Sequence, residues 1–151
     1  MIEVKAWSEV IAEQLVRFQV VRLESVVWVW CGVGNVREVL DSSSLGSLGV
    51  SIPNRDGMEF EDGMPAATIL LPGDGSELSQ TISRRLCKRL ARKQRGAANG
   101  SSESTGQVGE SGTTRPRSNP VAVYASINLG PFASLLQTDI EERLIRTLDT
   151  M

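Results

Sequence analysis

The stretch VRFQVVRLESVVWVWC, Val16 to Cys31, decides the fold. Val16, Phe18 and Val20 alternate with Arg17 and Gln19, the two-residue period that sends successive side chains to opposite faces of a strand. At Val20-Val21 the phase flips, and Val21 and Leu23 continue on the other face. A bulge, or a strand end covered on both sides, would explain that flip. Val26 to Cys31 is β-branched and aromatic throughout and apolar on both faces, which reads as a second strand. Glu24-Ser25 lies between the two runs and can close a hairpin, although no Gly or Asn supplies the preferred turn chemistry. A helix through Trp7, Ile11, Leu15 and Phe18 has the right spacing, but the density of Val from residue 16 onward favours strand. Trp28 and Trp30, with Val26 and Trp7, read as core. Being two apart on one strand, the two Trp share a face, and an interface hot spot is the alternative use of such a pair.

Outward from this hairpin, Ile2, Val4 and Ala6 alternate with Glu3 and Lys5 as in a strand. Val36 to Leu40 reads as a further short strand, and residues 41–63, with three consecutive serines, four glycines and a proline, as a long surface loop. Pro65 to Gly73 (PAATILLPG) reads as a buried strand ended by a Gly-Asp-Gly turn. A helix follows from Glu77 to Lys93, with Ser76 or Ser79 as N-cap, Ile82, Leu86 and Leu90 on one face, and Gly96 at its end. Val121 to Leu129 (VAVYASINL) is a strand between Pro120 and Gly130-Pro131. A last helix spans Leu135 to Leu148, with Ser134 and Gln137 as a capping box and Leu136, Ile140, Leu144 and Leu148 as its apolar stripe. Strands followed by helix, strand and helix make an α+β fold: an antiparallel sheet with two helices on one face.

The 151 residues suit one domain spanning 1–151, with enough core to need no disulfide or metal staple. From Gly96 to Asn119 the composition changes: 13 of 24 residues are Gly, Ser or Thr, and Val108 is the only large aliphatic. Such a segment cannot bury enough apolar area to offset its ordering entropy, so it reads as a disordered insertion. Charge is placed unevenly. Residues 79–119 hold nine basic and two acidic side chains, whereas the rest of the chain holds seven basic and sixteen acidic ones. No stretch approaches the roughly 20 apolar residues of a membrane span, and the amino terminus lacks a secretory pattern.

Chemistry is short of parts. Zero histidine removes catalytic triads, His-ligated metal and imidazole acid–base work. Cys31 and Cys87 form no C-x-x-C pair and read as small packing residues in a reducing compartment. Leu71 to Ser76 superficially resembles a phosphate-cradling turn, but it lacks the Lys-Ser/Thr ending, and Asp74 would repel a phosphate. Gly32-Val33-Gly34 is a lone G-x-G. No catalytic, cofactor-binding or metal-binding residue is expected, and no cofactor. Thr81 to Arg95 carries basic residues at 84, 85, 88, 89, 92, 93 and 95, which fill the helix circumference left by Ile82, Leu86 and Leu90. Most of these charges read as a solvated face. Nucleic acid is the alternative ligand, though the aromatics on which bases stack are not interleaved with them. Arg85, Lys88, Arg89, Arg92, Lys93, Trp28 and Trp30 are the candidate partner-binding residues.

Several segments in order resemble the proteasome assembly chaperone 4 family: EQLVRFQVVRL (13–23), VVWVWCG (26–32), MPAATILLPGD (64–74), the helix ending RLARK (89–93), VAVYASINL and a closing amphipathic helix. The resemblance spans the chain except for 41–63 and 96–119; family members pass from the basic helix to the next strand in only a few residues. It implies a small non-enzymatic chaperone, similar in fold to assembly chaperone 3 and pairing with it as a heterodimer. The sheet would become sandwich-like on dimerisation. The pair would bind the α-ring during assembly of the 20S core, chiefly at the fifth α-type subunit, and leave before the mature particle forms, in the cytoplasm and also the nucleus. An open sheet with apolar runs on both faces and two helices to cover it fits a protein that completes itself by docking.

Overall fold

In the computed structural model, residues 1–34, 45–53, 64–99 and 121–151 are described. Six strands form one sheet: β1 (Glu3–Ile11), β2 (Gln14–Arg22), β3 (Val26–Val33), β4 (Leu48–Ile52), β5 (Ala66–Leu71) and β6 (Ala122–Asn128). Their order across the sheet is β1-β2-β3-β6-β4-β5, antiparallel at each pairing except β3–β6, which is parallel. Helix α1 (Ser76–Asn99) and helix α2 (Ala133–Thr150) complete the α+β fold.

The period-2 pattern works as an address. Val16, Phe18 and Val20 of β2 and Val27, Val29 and Cys31 of β3 are buried in one core. From β6 come Val123, Ala125 and Ile127, from α1 Ile82, Leu86 and Leu90, and from α2 Leu136, Ile140, Leu144 and Leu148. Both helices therefore lie on the same face of the sheet. Arg143 of α2 reaches Glu9 of β1 at 2.8 Å, and Lys5 of β1 donates to Thr150 of α2 at 3.0 Å, which places α2 over the β1 side. Helix α1 packs on β4, β5 and β6.

The structure differs from the sequence reading at several points. Register is unbroken from Glu3↔Arg22 to Ile11↔Gln14 and across β2–β3, so the phase change at Val20-Val21 is no bulge; Val21 is simply an apolar residue on the sheet's second face. Within the segment read as loop, Leu48–Ile52 forms β4, an interior strand between β6 and β5. Its glycine and serine hid it: a Cβ at Gly49 would lie 2.7 Å from the Gln80 nitrogen of α1, so packing demands a residue with low strand propensity there. β5, read as buried, is the edge strand, with Leu70 and Leu71 exposed. Helix α1 runs through Gly96 to Asn99, so residues 96–99 of the expected insertion are helical. No side chain caps α2; it continues from a 3-10 turn at Gly130–Phe132, and Ser134 and Gln137 form no capping box. The proposed strand 36–40, the loop residues 41–44 and 54–63 and the insertion residues 100–119 lie outside the described residues.

Candidate partner-binding face

Side chains directly opposite in a ladder share a face. The register Trp7↔Phe18↔Cys31 therefore marks the helix side, with Glu3, Lys5, Trp7 and Glu9 of β1 on it. The ladder Val4↔Val21↔Trp28↔Tyr124↔Val50 marks the other. β1 thus inverts the usual arrangement: its charged residues face the helices, while Ile2, Val4, Ala6 and Val10 are exposed, Val10 to 67%. Glu3 and Lys5 also approach one another, at 3.9 Å. Ile52 and Leu70 extend the same apolar surface at the far side of the sheet.

At its centre the face is aromatic. Trp28 and Tyr124, neighbours across the β3–β6 pairing, stack with ring centroids 5.7 Å apart and planes 9° from parallel. Trp30 lies along its own strand over Gly32, where an added Cβ would meet the indole at 2.7 Å. Gly32 is therefore what allows the Trp30 ring to lie flat. Reading Trp28 and Trp30 as core is corrected here: both are half-buried on the helix-free face, and Val27, Val29 and Cys31 fill the core instead. Trp7 does pack against the core, stacked on Phe18 at 4.7 Å.

The basic residues lie elsewhere. Arg85 pairs with Glu141 at 2.6 Å, Arg89 with Asp149 at 2.6 Å, and Lys93 with Asp149 at 3.8 Å while donating to its backbone carbonyl at 3.1 Å. The Arg89 hydrogen bond, reinforced by the charge of Lys93, holds the Asp149 carboxyl below its usual range. Lys88 Nζ lies 3.1 Å from Met64 Sδ, and Arg92 is exposed. Much of the basic set thus serves as a ladder between α1 and α2. Because α1 and Trp28/Trp30 are on opposite faces of the sheet, the seven candidate residues do not form one site. The residues missed were Val4, Val10, Val21, Ile52 and Leu70. Of these, Val21 was signalled by the flip at Val20-Val21, which marks a strand apolar on both faces.

Burial raises both thiols, Cys87 to about 11 and Cys31 further, so neither is a ready nucleophile. Among the described residues no three metal-ligating side chains cluster. A concavity at the start of α1, lined by Gly73, Asp74, Ser76, Glu77, Thr81 and Gln137, presents two carboxylates where a phosphate would need donors. Ser76 Oγ is occupied there, accepting from Gly73 N at 2.7 Å and donating to Gly73 O at 2.6 Å. No described helix is long and apolar enough to cross a membrane. A comparison with protein-family models finds no match, and a comparison with curated proteins finds none.

Proposed function

We propose that this chain is a non-enzymatic assembly chaperone of the proteasome assembly chaperone 4 type. It pairs through the helix-free sheet face with a homologous assembly chaperone 3, and the pair promotes formation of the 20S α-ring, chiefly by holding the fifth α-type subunit. The carrying observation is the apolar character of a sheet face that neither described helix covers, with Trp28, Trp30 and Tyr124 at its centre. Six strands at about 4.8 Å spacing and about 3.3 Å per residue give a projected face on the order of 700 Å². That is close to the roughly 800 Å² each partner buries in a stable complex. The order of segments along the chain supports the family assignment. The nucleic-acid alternative draws less support, since Arg85, Arg89 and Lys93 are engaged by α2.

Coexpression with assembly chaperone 3 tests the reading. The expected result is a one-to-one complex, melting higher than either chain through linkage, that retains isolated fifth α-type subunit on a column. A chain that stays monodisperse, is stable alone and ignores that partner removes the proposal.

A further inference from the structure

The helix-free face is largely apolar, but among the residues that the described strands place on it there is one charge. Arg17 lies in β2 between Ser8 of β1 and Gly32 of β3, on the face opposite Val16 and Phe18. Its Nε is shut off from solvent and has no hydrogen-bond partner, and among the described residues no carboxylate pairs with it. The other polar side chains that the described strands place on this face are neutral, Gln19 and Ser8 among them. The acidic residues of β1, Glu3 and Glu9, are on the helix side, and Glu9 is engaged by Arg143.

A sheet packed onto this face removes the water that solvates the Arg17 guanidinium. An uncompensated charge in such a layer costs far more than an apolar contact returns, whereas a carboxylate in reach converts it into a charge-assisted pair. A second copy of this chain presents the same strands and therefore no carboxylate from them. We propose that Arg17 is the selectivity residue of this face. Its occupant is a different chain whose sheet face places an aspartate or glutamate on Arg17, and the same unanswered charge keeps two copies of this chain apart. The inference rests on the reading of this face as a pairing surface and adds the partner's chemistry to it. Attraction to the correct face and a penalty on the wrong one then come from a single side chain.

Sedimentation equilibrium of the full chain, wild type against Arg17→Met, tests the second half. Self-association should tighten tenfold or more when the charge is removed, while Gln19→Met, an apolar gain on the same strand and face, changes it much less. Equal self-association of wild type and Arg17→Met, or equal tightening by both variants, overturns the inference. Arg17→Gln, which removes the charge and keeps a shorter polar side chain, repeats the measurement if Arg17→Met does not fold. Titration with assembly chaperone 3 tests the first half: Arg17→Met should lose tenfold or more in affinity, and Arg17→Lys should retain most of it. Undiminished binding by Arg17→Met overturns the inference. Failure of the wild-type chain to bind that partner at all sinks the functional reading instead, and the self-association measurement still decides the role of Arg17.

Discussion

Single residues set how closely the layers approach. Gly49 lets the backbone of α1 rest on β4, with Ser79 and Ser83 as the small buried residues on the helix side. Ser79 Oγ is 2.7 Å from Ser47 Oγ and accepts from the Ile127 amide at 3.0 Å, so the contact is polar and satisfied as well as close. A methyl group at position 49 would meet backbone, which cannot rotate away. Gly49→Ala should therefore destabilise by about 1–3 kcal/mol through overpacking, measured by urea unfolding; an unchanged midpoint would mean that α1 is free to lift. The β1–β2 turn was illegible for a related reason. Ala12 and Glu13 both take positive φ, 47° and 65°, which Asn-Gly would have announced. The pairing of two long strands imposes that conformation on residues that do not prefer it.

At the scale of elements, the two helices are held to the sheet by apolar stripes and to each other by ions. Leu86 is fully buried, and Leu86→Ala should cost about 2–5 kcal/mol through lost burial and a residual cavity. The ion ladder is exposed and contributes less: Arg89→Glu, which sets a carboxylate against Asp149, should cost about 1 kcal/mol or less, while Arg92→Glu should be nearly neutral. Acid separates these contributions further. The Arg143 hydrogen bond lowers the Glu9 carboxyl, and Arg89 lowers that of Asp149. Because both folded values lie below the ordinary 4.5 and 3.8, their contribution is complete above that range and is lost as pH falls through the depressed values. Stability against pH should thus fall less steeply on the acid side in Asp149→Asn than in the wild type. Identical slopes would show that the pair leaves stability unaffected. The helical stripes were legible because a 3.6-residue period survives any context. The ladder was not, since it depends on how α1 and α2 lie beside one another.

For the whole molecule, the decisive feature is that one sheet has two apolar faces and that the described helices lie on only one of them. Substitutions on the two faces should part accordingly. Phe18→Ala should lose about 3–5 kcal/mol of folding stability. Val4→Asp, at a side chain 56% exposed, should leave the melting curve of the isolated chain nearly unchanged and abolish pairing on size-exclusion chromatography. A Val4→Asp chain that still pairs would move the interface away from this face.

Local pattern determined the strands β1, β2, β3 and β6, the two helices and their buried stripes, because periods of 2 and 3.6 are properties of the chain itself. The absence of histidine was legible on the same terms, as a property of the composition. Tertiary structure alone decided which phase of each strand faces the helices. An alternation in β1 says that apolar and charged residues separate, but the charged set went inward because Arg143 and Thr150 wait there for Glu9 and Lys5. It also decided that Trp28 and Trp30 leave the core, since Val27, Val29 and Cys31 already meet the helices across a sheet whose faces must alternate. The existence of β4 was hidden for the same reason, because a strand pressed against a helix backbone is selected for smallness, and smallness reads locally as loop.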